Sequence, residues 1–315
     1  MRHHLKAILA LASLLAAPLM AQDLVIIASK RPGGGGGGGT TTNPTYQNWM
    51  SSEIKDAWSL GYQGKGVTMT IVDDFSSANA FSGNLGTGTS TKRHGDWVRD
   101  VATMIAPQGG VASHDFYSGR SVKLARGQNA INLSYGMFAA AGYNVSQIGW
   151  SAQESSIINY AKDGRAIIAK AAGNDAIAVG GTNSRGQTDY LNLALVGTQS
   201  AIFVGALDRN GTPDNLANLA SYSNRAGTDT TIQKQYLAVG VRGDLTGLYG
   251  TSFAAPIVTG YAAVIGSKFT KASSTQISNQ LLNTARQDTI RNYDPALHGR
   301  GEASITRALA PNSIQ

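Results

Sequence analysis

The sequence predicts an α/β fold: a mostly parallel central sheet with helices on both faces, built as a single domain. Three observations carry that prediction. Strand-like and helix-like segments alternate along the chain, and that alternation implies a parallel sheet covered on both faces. The 315 residues leave ample length for one large core. Glycine is abundant, at 38 residues, and charged residues are only 14%, which suits tight turns and small-residue packing and argues against coiled coil or disordered polyelectrolyte.

Val67–Val72 is a β-rich run that ends in Asp73-Asp74. His94–Ala106 reads as a helix, with Trp97, Val98, Val101 and Ile105 on one face and Pro107-Gln108-Gly109-Gly110 as its stop. Ala130–Leu133 is a short strand before Ser134-Tyr135-Gly136. Ser151-x-x-Glu154 predicts a capping box; the helix it opens buries Ile157, Ile158 and Ala161 and ends at Gly164. Strands are expected at Ala166–Ala171, before Gly173-Asn174, and at Ala201–Ala206. Ser252–Ile265 is an apolar helix with Pro256 expected in its first turn. Ser274–Arg286 closes the series, with Ile277, Leu281, Leu282 and Ala285 on one face. In such sheets chemistry collects in the loops at the carboxyl ends of the strands, where Asp73 and Asn174 both fall.

Residues 1–21 read as a secretory leader, with Arg2 and Lys6 ahead of an apolar stretch, Ala7–Leu15, and an Ala-Pro-Leu-Met-Ala end. The apolar stretch is short for a membrane span, and no other segment reaches 18 apolar residues. A secreted or periplasmic protein, with no membrane span in the mature chain, is therefore expected. Residues 22–46, with seven consecutive glycines at Gly33–Gly39, read as a flexible linker. The folded domain is expected over 47–311, with 312–315 as a tail. The net charge is +7, and +5 once Arg2 and Lys6 are removed with the leader. It is scattered, without a Lys/Arg run, so no nucleic-acid partner is assigned.

The absence of cysteine excludes disulfides, Cys-ligated zinc, iron–sulfur clusters and thiol catalysis. His94, His114 and His298 follow the leader, without H-E-x-x-H or another metal-ligand spacing. There is no P-loop, and Gly83–Gly88 follows no clear strand. Spacing alone leaves paired acids for glycoside hydrolysis open, but no feature points to them; what the residues do point to is serine chemistry. A serine hydroxyl needs an adjacent base, and the base needs an acid to fix its tautomer and stabilise the imidazolium. The chain offers Gly250-Thr251-Ser252-Phe253-Ala254-Ala255-Pro256, His94-Gly95 and Val72-Asp73. Asp74 competes with Asp73 on composition alone. The order Asp, His, Ser differs from that of the α/β-hydrolases and of chymotrypsin and matches subtilisin. There is no G-x-S-x-G.

On these residues the chain resembles the subtilisin-like serine proteases (subtilases) over roughly residues 64–310. Gly250–Pro256 follows the family's G-T-S-x-A-x-P nucleophile segment, and Ala171-Ala172-Gly173-Asn174-Asp175 is similar to its A-A-G-N segment. His94-Gly95 with Val98 resembles the histidine segment, Gly66–Asp73 the strand ending in the catalytic Asp, and Ile131–Gly136 the substrate-pairing strand. Leu219–Gly227 and Thr251-Ser252-Phe253 resemble stretches of autotransporter-passenger subtilases. The resemblance implies a subtilisin-like catalytic domain and an acyl-enzyme mechanism on polypeptide. It makes Ser252 the nucleophile, His94 the base, Asp73 rather than Asp74 the orienter, and Asn174 the oxyanion donor beside the Ser252 N–H. Ser134, Tyr135 and Gly136 would pair with extended substrate mainly through backbone, and Ala171, Ala172 and Gly173 would form the other wall. His114 and His298 take no role.

Three departures stand out. Asp74-Phe75 follows the orienting Asp where the family has Ser or Thr and then Gly. The histidine segment reads His94-Gly95-Asp96-Trp97-Val98 instead of H-G-T-H-V. Residues 22–46 are too short and Gly-rich for an inhibitory prodomain. No cofactor is assigned; a structural calcium stays open, since no D-x-D-x-D loop locates one. The reading is therefore an exported serine endopeptidase, expected to be a monomer. The alternatives are a catalytically inactive peptide-binding homologue and an esterase using the same triad.

Overall fold

A computed structural model describes residues 44–315, together with the backbone of His3–His4 and Lys6–Ile8. Most of the expected leader (1–21) and of the Gly-rich linker (22–46) lies outside the described residues. The central sheet has six strands: β1 (Val67–Asp73), β2 (Gly110–Asp115), β3 (Gln128–Leu133), β4 (Ile167–Ala171), β5 (Ala201–Leu207) and β6 (Tyr236–Gly240). All pairs are parallel, in the order β6-β5-β4-β3-β1-β2. The four longest helices are α1 (His94–Ile105), α2 (Ala152–Lys162), α3 (Thr251–Lys268) and α4 (Ser274–Asn283).

Two core layers flank this sheet. In β4, Ile167, Ala169 and Ala171 face one layer with residues of α1, α3 and α4. Ile168 faces the other, with Ile157, Ile158 and Ala161 of α2. Helices thus cover both faces, as a parallel sheet requires, and the α/β, single-domain prediction holds. The chain moves from β1 outward to β2, then returns to place β3 on the other side of β1. The reversal puts a crevice at the carboxyl ends of β1 and β3, where ligands of open α/β sheets bind.

Two local expectations are corrected. Helix α3 starts at Thr251, so Pro256 is its sixth residue, beyond the first turn. It is tolerated because the carbonyl its missing N–H would have served, that of Ser252, is taken by the Ser134 hydroxyl at 2.8 Å. Ser151 does cap α2, but by accepting from the Gln153 N–H at 3.0 Å and donating to the Glu154 carboxylate. Glu154 does not close a reciprocal box, because it is buried and also accepts from the Tyr135 hydroxyl at 3.1 Å. A true capping box forms instead at Ser273 and Gln276 of α4.

Candidate active site

Asp73 closes β1 in the crevice and is fully buried. Its Oδ1 accepts from the Asp74 N–H at 2.7 Å and from His94 Nδ1 at 2.6 Å. Asp74 is also buried, but its carboxylate turns back to the Ser76 and Ser77 N–H groups, at 3.2 and 2.9 Å, and to the Ser77 hydroxyl. One of the two neighbouring acids holds the imidazole while the other closes a turn. Burial pushes the Asp73 carboxyl above its ordinary value, and the facing imidazole pulls it back. Among the described residues Asp73 Oδ2 is buried without a partner, an arrangement that disfavours the charged form.

His94 opens α1, whose buried face anchors in the core over successive turns at Trp97, Val98, Val101 and Ile105. Gly95 permits the close approach of this helix to β1. Its N–H donates to Asp74 O at 3.1 Å, and a Cβ there would lie 2.7 Å from the same oxygen. The imidazole is nearly buried and sits against Phe253 and Phe81, with ring centroids 5.6 and 6.2 Å away. With Nδ1–H given to Asp73, a neutral ring presents Nε2 as an acceptor.

Ser252 is the second residue of α3, preceded by Gly250 at φ +114°. Only glycine adopts that backbone readily, and a Cβ there would also crowd Asn174 Nδ2 at 3.2 Å. The first N–H groups of a helix have no intrahelical partner; in α3 that of Thr251 donates to Asn174 Oδ1 at 2.8 Å and that of Phe253 to Gly250 O at 3.0 Å. The Ser252 hydroxyl donates to Ser134 O at 3.2 Å. Among the described residues no hydrogen bond joins it to His94, so that link is open in this structure.

Asn174 follows β4. Its Oδ1 accepts from the Thr251 N–H at 2.8 Å and from the Thr251 hydroxyl at 3.0 Å. Fixing the oxygen leaves the amide nitrogen as the end available to donate, on the Gly250 side. Thr251 Oγ1 also accepts from the Gly173 N–H at 3.1 Å. Asn224 holds the same loop from below: Nδ2 donates to Ala172 O at 3.0 Å and Oδ1 accepts from Asp175 N–H at 2.9 Å.

Ser134 and Tyr135 lie between β3 and a strand, Gly136–Ala140, that pairs antiparallel with Gln187–Asp189 and with the backbone of Lys6–Ile8. Within the fold their side chains are tied down. Ser134 bonds α3 through both its hydroxyl and its carbonyl, and Tyr135 is stacked on Phe116 and tied to Glu154. Ala171 and Ala172 are buried and Gly173, at φ +116°, turns the chain toward Asn174. His114 bonds Gln153 and Ser118, and His298 lies beside Tyr293, both outside this cluster. Among the described residues no group of three or more His, Asp or Glu is placed to hold a metal ion, and no helix is long and apolar enough to cross a membrane.

Thr251, Asn224, Phe81 and Phe253 complete the site and were given no role from sequence. Thr251 had the one legible signal, its place directly before the serine. Asn224 lies in the Leu219–Gly227 stretch, whose resemblance carried no role.

Comparison with known proteins bears on the family and the fold of this chain. A family model described as "Subtilase family" matches residues 78–301, a span that holds His94, Asn174 and Ser252 and begins after Asp73. No curated protein matches the chain. Among solved structures, the prenylagaramide maturation protease PagA is similar with a TM-score of 0.56 at 22% identity, covering 82% of this chain and 98% of its own. MycP1 of the ESX-1 type VII secretion system gives 0.54 at 20% identity, covering 86% and 88%. MycP1 from Mycobacterium smegmatis gives 0.52 at 19% identity, covering 86% of each chain. At these identities the likeness is one of fold, while the family match spans about seven-tenths of the sequence. The chain belongs to the subtilase family of serine proteases.

Proposed function

We propose that the chain is an exported serine endopeptidase that cleaves extended polypeptide through an acyl-enzyme on Ser252. The Ser252 hydroxyl turns from Ser134 O to Nε2 of His94, which takes its proton as Oγ attacks the peptide carbonyl carbon. Asp73 holds Nδ1–H and stabilises the imidazolium. Asn174 Nδ2 and the Ser252 N–H receive the developing oxyanion. His94 then passes the proton to the leaving amine, and water, activated the same way, hydrolyses the ester. Backbone of Ser134–Gly136 and Ala171–Gly173 binds the residues preceding the scissile bond in β-strand fashion. Export rests on the leader over residues 1–21.

The 2.6 Å bond from His94 to Asp73 carries this reading, because it fixes the imidazole in the tautomer a base requires. Turnover of casein and of a tetrapeptide amide tests it. Wild type should cleave both, and Asn174→Ala should lower kcat by about 10²–10³ with little change in KM. Hydrolysis of esters alone would favour the esterase reading, and no turnover by folded protein the inactive one. A loss confined to KM would make Asn174 a binding group only.

A further inference from the structure

Lys170 lies in β4 on the face that packs against α2, one residue before the Ala171–Gly173 wall. Its in-register neighbours are Leu133 of β3 and Phe203 of β5, both fully buried in that apolar layer. Lys170 is itself only 1% exposed. Its Nζ donates to Ala171 O at 2.7 Å and to Asp189 Oδ2 at 3.0 Å. The other oxygen of Asp189 accepts the N–H of Met137 at 2.9 Å and of Leu191 at 3.1 Å. Asp189 also pairs with Phe138 across the antiparallel ladder, and a Cβ at Gly136 would lie 2.8 Å from its Oδ2. An unbroken set of bonds therefore runs from the carbonyl of Ala171, through one buried ion pair, to the amide of Met137. Those two backbone groups belong to, or directly follow, the two walls of the crevice.

An apolar pair of similar volume is generally no costlier to bury than an ion pair, so core packing alone does not account for these charges. A charged pair does what an apolar pair cannot: it fixes direction and distance between its ends. We propose that Lys170 and Asp189 are a positioning pair that sets the spacing of the Ser134–Gly136 and Ala171–Gly173 segments, and through it the binding of the substrate residues before the scissile bond. This rests on the protease reading above. Neither residue touches the reacting atoms. The neighbouring Asn192 acts in the same sense, donating to Ala172 O at 3.2 Å from beneath.

The test compares wild type with the double variant Lys170→Met/Asp189→Asn, which removes both charges of the pair. Three quantities are read: KM and kcat for a tetrapeptide amide, the same for a single-residue ester, and the rate of labelling by a fluorophosphonate. The proposal expects KM for the tetrapeptide to rise about tenfold or more, while ester kcat and labelling rate stay within about twofold. If the double variant does not fold, Lys170→Gln alone leaves the Asp189 carboxylate its Met137 and Leu191 amide donors, with the Gln amide as a neutral donor in place of Nζ, and gives the same readout. A folded variant with unchanged tetrapeptide KM overturns the proposal. So does an equal loss on both substrates that follows a fall in melting temperature, since that marks a purely structural role. Wild type that neither labels nor cleaves overturns the protease reading and this proposal with it, whereas wild type that cleaves leaves that reading standing whatever the variants do.

Discussion

Helices α1 and α3 bring His94 and Ser252, the proposed base and nucleophile, to one crevice by different physical means. In α1, one face is buried and the other carries Asp96, Arg99 and Asp100, with an Arg99–Asp96 ion pair at 2.8 Å on the surface. Its register is set by an apolar stripe, so His94 is aimed by rotation of the helix about its axis. In α3 every residue from Thr251 to Gly266 is buried, so no stripe sets its rotation. Its aim comes from its ends and neighbours: Gly250 at positive φ, Thr251 on Asn174, and Ser134 on the Ser252 carbonyl. An amphipathic helix is positioned by the hydrophobic effect, and an all-buried one by specific polar contacts and close packing. The two touch at Gly260, where an added Cβ would lie 2.5 Å from Ile105 Cγ2 and 3.2 Å from Ala102 O.

The largest expected effect removes what each helix delivers. Ser252→Ala and His94→Ala should each lower kcat by about 10⁶, and the double variant hardly further, since the two groups act as one unit. Additive losses in steady-state kinetics would break the pairing of the helices. Next comes the acid that aims α1's imidazole. Asp73→Asn should lower kcat by about 10⁴ through the wrong tautomer, while Asp74→Asn, which touches only the Ser76–Ser77 turn, should stay within about tenfold. Similar losses in both would show that the turn, not the imidazole bond, aims α1.

Gly260→Ala sharpens the comparison at the contact itself. Helix propensity favours alanine by about 1 kcal/mol, but overpacking costs about 1–3 kcal/mol, so a lower melting temperature is expected. A neutral or stabilising result would mean that the helices part freely. The smallest effect lies away from both helix starts. Burial holds His114 and His298 below the ordinary histidine range. The unfolded chain therefore takes up these protons first, and stability falls as pH drops through about 6.5. Asp73 and Glu302, which burial holds high, act in the opposite sense nearer the carboxylate range. Thermal scans should show a falling melting temperature between about pH 7 and 5, and the fall should shrink in His114→Gln; a flat profile would remove the histidine contribution.

The same contrast explains what the sequence made legible. The stripe of α1 was visible as a period, and its observed start at His94 matches the expected one. The start of α3 was misplaced by one residue because Gly250 gives no side-chain cap, and that error put Pro256 in the wrong turn. The strands of the sheet were visible as apolar runs, so the architecture followed. Candidate site residues were visible where short segments have fixed spacing, at His94-Gly95, Ala171–Asn174 and Gly250–Pro256. Contacts between distant segments left no local trace. Asn224 beneath the Gly173 loop, the Phe81 ring beside His94, and Asp189 across from Lys170 are joined only by the fold. Lys170 sat in view in a strand segment as an unread charge among apolar residues.

The central claim is that β1, α1 and α3 together make one hydroxyl nucleophilic. Treating folded protein with a fluorophosphonate and locating the adduct by peptide mass tests it most directly. A single adduct on Ser252, lost in His94→Ala, is the predicted result; folded wild-type protein that takes no label, or takes it on another residue, would contradict the claim.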